Sequence, residues 1–261
     1  MMPRRIATSV VIVFALFTAQ GLTQVSVASN APVPGTLYGL NINNFARPNV
    51  WPVEHFGSFR AFSFRWYNIE RAPAVWDFSE PDKELKLAEQ HGVSPLPVLM
   101  GVPEWADKPG DPANSIVTSD PYKRNRDRCQ PIDSAKWENY IRTVATRYKG
   151  RIHAYELWNE PETNGVFREH PEELVKLIAV AYRVLHEVDP TIIVVSPALS
   201  SGDPVPSRVL ENLRKFAAAG IYRYCDVIAY RAYLVPERPD HSTVPPEAIF
   251  AIGRSSPCHW D

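Results

Sequence analysis

The sequence predicts an α/β fold of the (β/α)8 barrel type with about six βα units, and three observations predict it. Apolar runs typical of buried parallel strands recur along the chain, and the five intervals between residues 36 and 226 average 38 residues. Amphipathic helical segments separate these runs, which indicates successive βαβ units. No Gly-x-Gly-x-x-Gly follows the first run, which disfavours the alternative of a doubly wound, nucleotide-binding sheet.

Six segments are predicted to be strands of one parallel sheet. Most of them are near-continuous apolar runs rather than alternating ones, as expected when helices cover both faces of the sheet. The predicted strands cover residues 36–42, 58–64, 93–101, 152–158, 191–197 and 226–233.

Four helices are predicted between the strands from their end signals. A capping side chain or a proline in the first turn marks where a helix begins, and a glycine or Asp-Pro marks where it ends. In the first helix, Ser79 offers an N-cap, Pro81 lies in the first turn and Gly92 ends the helix. The other three begin at Asp133 or Ser134, at Pro171 and at about Pro206, and they end at Gly150, at Asp189-Pro190 and at Gly220.

The composition predicts one globular domain that does not bind nucleic acid. The chain has 261 residues, 45% of them hydrophobic, with 28 Lys and Arg against 29 Asp and Glu. A protein that binds nucleic acid normally carries a basic excess on one face. No repeat or low-complexity linker divides the chain, so residues 29–261 are predicted to form a single barrel domain.

The first 28 residues are predicted to be a secretory signal peptide. Arg4 and Arg5 precede an apolar stretch over residues 6–19, and residues 26–28 (Ser-Val-Ala) offer small side chains where signal peptidase reads them. The alternative is an uncleaved membrane anchor, but the stretch is shorter than the roughly 20 residues that span a bilayer. We therefore expect a secreted or periplasmic protein without a stable membrane anchor.

No metal or cofactor site is predicted. The three cysteines, Cys129, Cys225 and Cys258, form no C-x-x-C pair, and the seven histidines form no H-x-x-H or H-E-x-x-H motif. An odd number of cysteines leaves one over if two of them join, and their spacing selects no pair. The oligomeric state also stays open.

The residues that end the predicted strands are suited to binding a carbohydrate. Catalytic groups of barrels lie at the carboxyl ends of the strands and in the loops that follow. Aromatic rings stack on the apolar faces of sugars, while guanidinium, amide and carboxylate groups bond to sugar hydroxyls. The alternative is that these aromatic side chains fill the mouth of the barrel. The candidate residues are Arg60, Arg65, Trp66, Trp105, Trp158, Asn159, Glu160 and Tyr233.

The most specific signal in this set is the tetrapeptide over residues 158–161 (Trp-Asn-Glu-Pro). The predicted fourth strand delivers Asn159 and Glu160 to the rim as neighbours, and Pro161 then turns the chain away. Protonating a glycosidic oxygen at neutral pH needs a carboxyl group with a raised pKa, held near an amide that binds the sugar. Glu160 is therefore the candidate general acid.

Eight segments of the chain share one family pattern. They are residues 59–62 (FRAF), 65–70 (RWYNIE), 75–78 (VWDF), 103–106 (PEWA), 137–150, 155–161 (YELWNEP), 195–198 (VSPA) and 226–230 (DVIAY). With them the sequence resembles the clan A glycoside hydrolases, and most closely the family-39-like (or family-5-like) retaining β-glycosidases. The resemblance implies a (β/α)8 barrel that hydrolyses β-glycosidic bonds. It also implies that Glu160 is the general acid/base, that Asn159 binds the sugar 2-hydroxyl and that Tyr233 lies near the nucleophile.

Two positions depart from the family pattern. Residues 230–233 (YRAY) stand where the family commonly has Tyr-His-x-Tyr, and residues 62–63 (Phe-Ser) stand where it often has Trp-Asp. An arginine at position 231 changes both the size and the charge of a group near the sugar. Either change alters substrate preference or marks relaxed selection, and the sequence leaves both open.

The second carboxylate of a retaining pair has no candidate in the sequence. The family's nucleophile is a glutamate that ends the seventh strand, and the 28 residues after Tyr233 show no such strand. Glu156 would lie about 13 Å from Glu160 along an extended strand, too far for a catalytic pair. Asp203 and Glu237 are expected to be solvated loop acids. We therefore expect a C-terminally truncated hydrolase that lacks its last two units and is inactive; the alternative is a non-catalytic carbohydrate-binding protein or a decayed remnant.

Overall fold

The computed structural model describes residues 39–41, 52, 55–106, 133–163, 165–200 and 206–231. The predicted leader over residues 1–28 lies outside these ranges, as do Asp203, Tyr233 and Glu237. Within the described ranges, no helix is both long enough and apolar enough to cross a bilayer.

Strands and helices alternate along the described chain, as the sequence predicts. Short 3₁₀ turns at Glu104–Ala106, Pro161–Thr163 and Ile221–Tyr224 lie between them. In chain order the elements are β1 (Gly39–Asn41), β2 (Ser58–Ala61), α1 (Trp66–Ile69), β3 (Glu70–Ala72), β4 (Val75–Trp76), α2 (Ser79–His91), β5 (Ser94–Leu99), α3 (Ser134–Arg147), β6 (Ala154–Leu157), α4 (Gly165–Glu169), α5 (Pro171–Val188), β7 (Ile193–Val195), β8 (Leu199–Ser200), α6 (Pro206–Ala219) and β9 (Tyr230–Arg231).

The strands of the main sheet lie side by side in the order of the chain. β1, β2, β5, β6 and β7 are neighbours in that order, and every pair is parallel. The segment after α6 takes a sixth strand position beside β7. Val195 of β7 forms a parallel bridge to Val227, and β8 pairs in parallel with β9. A doubly wound sheet reverses its strand order at a switch point, whereas a (β/α) barrel adds each strand beside the previous one. The strand order therefore confirms the predicted barrel-type fold.

Aromatic side chains join helices α3 and α5 to the segment that follows β2. The indole N–H of Trp137 donates to the carbonyl of Leu177 in α5 at 2.9 Å. The hydroxyl of Tyr140 donates to the carbonyl of Phe64 at 2.7 Å, and the ring of Trp66 stacks on that of Tyr140 with centroids 5.3 Å apart. The predicted apolar positions of α3 are buried, as a 3.6-residue period requires. These contacts fix the end of β2, from which Arg60 projects.

The helix ends follow the predicted signals with one correction. Asp133 caps α3 by accepting a hydrogen bond from the N–H of Ala135 at 2.9 Å, and Gly92 ends α2 in the left-handed conformation with φ 64°. Ser79 does not cap α2, because it is the first helical residue and its own N–H donates to Oδ1 of Asp77 at 3.0 Å. Phe78 therefore occupies the N-cap position, and the carboxylate of Asp77 accepts the N–H of the first helical residue.

The strands differ from prediction in length, and one hairpin lies where no strand is predicted. β2 ends at Ala61, three residues before the predicted end, and β9 has two residues. The hairpin pairs Glu70 of β3 with Trp76 of β4, and the N–H of Ala74 in its turn donates to Oε1 of Glu70 at 3.0 Å. Strands of three and two residues are too short to show an alternating pattern in the sequence.

Candidate active site

The segment after β6 is held by both neighbouring strands. The N–H of Trp158 donates to the carbonyl of Leu99 at 3.0 Å, and the N–H of Glu160 donates to the carbonyl of Ala198 at 3.0 Å. Asn159 forms a parallel bridge with Ala198. The backbone is therefore fixed on two sides at the carboxyl end of the fourth strand of the main sheet, which is where barrels carry their catalytic groups.

Backbone strain accompanies this position. Trp158 and Glu160 adopt the left-handed conformation, with φ 69° and φ 45°. That conformation is uncommon for residues other than glycine and costs on the order of 1–3 kcal/mol per residue. The strained backbone places the Trp158 side chain in the core and leaves Asn159 and Glu160 partly exposed at the rim. Such strain persists only where the surrounding structure fixes it, and it clusters at functional sites.

Arg60 and Glu156 form a buried ion pair beneath this rim. Arg60 donates through Nε to Oε2 of Glu156 at 2.7 Å and through Nη2 to Oε1 at 2.6 Å. Nη2 also donates to Oδ1 of Asn159 at 2.8 Å. Glu156 is 1% exposed, and burial raises the pKa of its carboxyl while the hydrogen bonds and charge of Arg60 oppose that rise. Arg60 lies on β2 and Glu156 on β6, so the ion pair joins the two strands on either side of β5.

Arg231 brings a second guanidinium into contact with the same asparagine and with the candidate acid. Its Nη1 donates to Oδ1 of Asn159 at 2.8 Å and lies 3.1 Å from Oε1 of Glu160. Because a guanidinium can only donate, the two contacts from Arg60 and Arg231 identify Oδ1 unambiguously. The amide nitrogen of Asn159 therefore faces away from both cations, and it can donate to an oxygen of a ligand.

The structure brings together three of the predicted site residues, Arg60, Asn159 and Glu160, and it places Arg65 beside Arg60. The guanidinium groups of Arg60 and Arg65 both lie over the ring of Phe62, at 4.9 and 4.5 Å from its centroid. Trp105 is half-buried, and its indole N–H donates to a backbone carbonyl at 3.0 Å. Both Arg65 and Trp105 retain partly exposed side chains, so they stay candidates for contact with a ligand.

Trp66 and Trp158 do not offer a ring face to a ligand, which corrects the expectation that they bind substrate. Trp66 is fully buried, and its indole N–H donates to Oε2 of Glu70 at 2.6 Å. The ring of Trp158 packs edge-on against Phe167 with centroids 5.0 Å apart, and it also contacts Trp137. Both rings belong to the core below the rim. This agrees with the alternative that the aromatic side chains fill the barrel and do not bind a sugar. Tyr233 lies outside the described residues.

Glu162 is a titratable residue of the site that sequence reasoning missed. It lies on the 3₁₀ turn two residues after Glu160, is 8% exposed, and accepts a hydrogen bond at Oε1 from the N–H of Ser200 at 2.8 Å. Burial raises the pKa of its carboxyl to about 8. In the sequence it looks like any acid in a turn, because burial by a segment 38 residues away leaves no local pattern.

The charged side chains of the site pair with one another. Within the described ranges, no group of three or more His, Cys, Asp or Glu side chains could hold a metal ion. The carboxylates of Glu156 and Glu160 instead contact Arg60 and Arg231 respectively. Among the residues that the structure describes, none forms an ion pair with the buried carboxyl of Glu162.

The fold has counterparts among solved structures. No protein-family model and no curated protein matches the sequence. A family 39 glycoside hydrolase from the gut symbiont Bacteroides cellulosilyticus WH2 matches 71% of this chain, with a TM-score of 0.50 and 19% sequence identity. This likeness shows that the fold is of the (β/α) barrel type. The predicted resemblance is thereby confirmed at the level of the fold.

Two xylanases also match parts of this chain. Xylanase B from Clostridium stercorarium F9 matches 78% of the chain with 22% identity and a TM-score of 0.49. A psychrophilic family 10 endo-β-1,4-xylanase matches 77% of it with 14% identity and a TM-score of 0.49. The chain spans 34% of the family 39 chain and 61% and 63% of the two xylanase chains.

Proposed function

We propose that this chain carries the acid/base site of a glycoside hydrolase that acts on β-linked carbohydrate outside the cell, with Glu160 as the general acid/base. One observation carries the proposal. Asn159 and Glu160 stand side by side at the carboxyl end of the fourth strand, and backbone hydrogen bonds to both neighbouring strands fix them there. The secretory signal predicted over residues 1–28 accounts for the location.

Each residue takes a chemical role in the proposed reaction. As an acid, Glu160 gives its proton to the glycosidic oxygen while the bond from that oxygen to the anomeric carbon breaks; its carboxylate then takes a proton from the attacking water. Asn159, oriented by two guanidinium groups, donates from its amide nitrogen to the sugar 2-hydroxyl. Arg60 holds Asn159 in place and is itself held by Glu156. We assign no nucleophile among the described residues.

Arg231 constrains the acid step. Its Nη1 lies 3.1 Å from Oε1 of Glu160, so it competes with a glycosidic oxygen for that carboxyl oxygen. For Glu160 to donate a proton through Oε1, Arg231 must turn away from it, toward Asn159 or toward a ligand. The pair is therefore an obstacle to the proposed chemistry.

A non-catalytic carbohydrate-binding protein is the second candidate, and the Arg231–Glu160 pair favours it. If the pair stays closed when a sugar binds, Glu160 cannot protonate the glycosidic oxygen. The amide of Asn159 and the half-buried Trp105 would then still contact the sugar. This candidate predicts binding of oligosaccharides without turnover.

Hydrolysis of 4-nitrophenyl β-glycosides by the wild type and by Glu160→Gln tests the proposal. General acid catalysis contributes roughly 10²–10⁴-fold, so we expect the variant to lose activity by about that factor. Glu172→Gln is the matched control, because Glu172 is an exposed acid on α5 whose contact, at 3.2 Å, is with the imidazole of His170. Equal turnover by wild type and Glu160→Gln would contradict the acid/base role.

Calorimetric titration with β-linked oligosaccharides separates the two candidates. The enzyme proposal predicts that Glu160→Gln binds the sugars but no longer cleaves the aryl glycosides. Binding by both proteins, with no turnover that depends on Glu160, would support the carbohydrate-binding protein instead. Loss of binding in Asn159→Ala would place the sugar at this rim in either case.

A further inference from the structure

We propose that Ser196 is a positioning residue of the candidate active site: its buried hydroxyl holds a one-residue bulge between β7 and β8, and this bulge sets where Arg231 meets Asn159. This role rests on the function proposed for the same site. Ser196 takes no part in the catalytic steps above, and its role can be measured without turnover.

The bulge is visible in the register between β7, β8 and the sixth strand position. Val195 of β7 bridges to Val227, and Leu199 of β8 pairs with Tyr230. Between these two pairs the chain advances by four residues on one side and by three on the other. One extra residue on one strand defines a β-bulge, and bulges are over-represented at the rims of barrels and next to active sites.

The side chain of Ser196 replaces its own carbonyl in the ladder. The N–H of Ser196 donates to the carbonyl of Val227 at 2.8 Å. In a regular parallel ladder, the carbonyl of Ser196 would then accept the N–H of the residue two positions after Val227. That residue is Ala229, and its N–H donates instead to Oγ of Ser196 at 2.9 Å. The hydroxyl therefore continues the pairing where the backbone has turned away.

Pro197 accounts for the turn of the backbone. Proline has no N–H to donate to a neighbouring strand, and within sheets it is confined to edges, strand starts and bulges. The Ser196 hydroxyl donates to the carbonyl of Pro197 at 3.2 Å while it accepts from Ala229. Ser196 is fully buried, and both hydrogen-bonding functions of its hydroxyl are satisfied inside the bulge. Without the hydroxyl, the N–H of Ala229 would lose this acceptor, which is costly for a partly buried donor.

The shift in register decides how Arg231 reaches the rim. With the bulge, Arg231 pairs with Ser200, and its Nη1 donates to Oδ1 of Asn159 at 2.8 Å. Without it, Arg231 would pair with Leu199, which is buried in the core. Successive side chains of a strand point to opposite faces, so a slip of one residue would move Arg231 to the other face relative to β8.

The bulge also contacts the segment that carries the candidate acid. The carbonyl of Ala198 accepts the N–H of Glu160 at 3.0 Å, and Ala198 bridges to Asn159. These contacts do not involve the Ser196 hydroxyl. Loss of the hydroxyl should therefore disturb the Arg231 side of the rim first, and Asn159 through its hydrogen bond to Arg231.

Hydrogen exchange of the Ala229 amide in the full chain tests the role of the hydroxyl. Ser196→Ala removes the acceptor, so exchange at Ala229 should become about tenfold faster. The amide of Asp226 donates to the carbonyl of Val194 at 2.7 Å, ahead of the bulge, and it should keep its rate. Ser196→Cys should exchange like Ser196→Ala, because a thiol fills similar space but accepts a hydrogen bond only weakly.

Nitrogen-15 signals of the side chains at the rim test the positioning. In Ser196→Ala the signals of the Asn159 amide and the Arg231 guanidinium should shift. Nε of Arg60 should stay in place, because it donates to Glu156 at 2.7 Å between β2 and β6. Tyr182→Phe is the matched control: it removes a hydroxyl that donates to Asp226 at 3.1 Å, on the same segment as Ala229 but outside the bulge, and it should leave the rim signals unchanged.

Four results would overturn this role for Ser196. Fast exchange of Ala229 in the wild type, or an unchanged rate in Ser196→Ala, would exclude the hydroxyl as its acceptor. Wild-type behaviour of Ser196→Cys would show that Ser196 only fills space. Unchanged Asn159 and Arg231 signals, despite faster exchange at Ala229, would exclude positioning.

Ser196→Cys serves for both measurements if Ser196→Ala does not fold. Since no readout needs a substrate, a failure here is distinguishable from a failure of the proposed glycosidase activity.

Discussion

Replacing Arg60 by methionine removes the cation that balances the most deeply buried carboxylate of the site. Arg60 makes two hydrogen bonds to Glu156 and one to Asn159, over distances of 2.6 to 2.8 Å. Methionine keeps an unbranched apolar chain in the same space, so the change removes mainly the guanidinium. Glu156, 1% exposed, is left without the cation that contacts it.

The expected loss of stability follows from this burial. Removing one partner of a buried ion pair costs about 3–5 kcal/mol, because the remaining charge is uncompensated. The Arg60 side chain is 17% exposed, so water screens part of the pair. We therefore expect the lower end of the range, about 3 kcal/mol in the free energy of unfolding near neutral pH.

The loss of stability in Arg60→Met should depend on pH. Burial already raises the folded-state pKa of Glu156, and without Arg60 it rises further. An acid whose pKa is raised by folding stabilises the protein below its unfolded pKa, and this stability is lost as the pH rises through the folded-state value. The difference between Arg60→Met and wild type should therefore be smaller at about pH 5 than at about pH 8.

Urea unfolding at both pH values measures this, with m-values checked for constancy. In the Glu156→Gln background, the loss of stability caused by Arg60→Met should no longer depend on pH. It should also be smaller than the loss that Arg60→Met causes in the wild type. Arg71→Met is the matched control, because Arg71 pairs with Asp77 at the exposed surface and its loss should have little effect. An equal loss at both pH values would refute the reasoning.

Three further changes test the fold. Glu84→Gln should reduce the fall in stability between pH 4.5 and about 7 by about 3 kcal/mol, since the folded-state pKa of Glu84 is raised to about 7; urea unfolding of both proteins across that range measures the difference. Gly101→Ala should cost about 2–4 kcal/mol by urea unfolding, because φ is 80° and the new Cβ would lie 2.6 Å from the ring of Tyr67. Tyr140→Phe should cost about 1–3 kcal/mol in the same assay by removing the buried hydrogen bond to the carbonyl of Phe64.

Controls are available for each of these changes. Gly92→Ala has a comparable φ of 64° but open space around its Cβ, so it should cost less than Gly101→Ala; equal costs would exclude the clash with Tyr67. Tyr182→Phe removes a hydroxyl that is only partly buried and should cost less than Tyr140→Phe. A fall in stability of the same size in Glu84→Gln as in the wild type would contradict the role of Glu84.

The helices could be predicted because their signals are local. Asp133 and Gly92 mark helix ends through contacts with residues at most a few positions away, and the apolar period of α3 is visible within two turns. The position of Asn159 and Glu160 at a strand end could be predicted for the same reason. The short β3–β4 hairpin could not, because its strands have too few residues to show a period.

The partners of the site residues depend on contacts far apart in the chain. Arg60 meets Glu156 across 96 residues and Asn159 across 99, and Arg231 meets Asn159 across 72. No spacing in the sequence encodes such pairs, so the sequence predicted a rim of candidate residues but not the ion pairs that join them. The burial of Glu162 was missed for the same reason.

By itself, the sequence determined the alternation of strands and helices and the arrival of Asn159 and Glu160 together at the end of a strand, since both follow from residues adjacent or one helical turn apart. Only the tertiary structure decided the sequential strand order that distinguishes a barrel from a doubly wound sheet. It also decided that Trp66 and Trp158 belong to the core and that Arg231 contacts Glu160. Burial and charge pairing are properties of the packed chain, because they depend on which distant segments exclude water from a side chain.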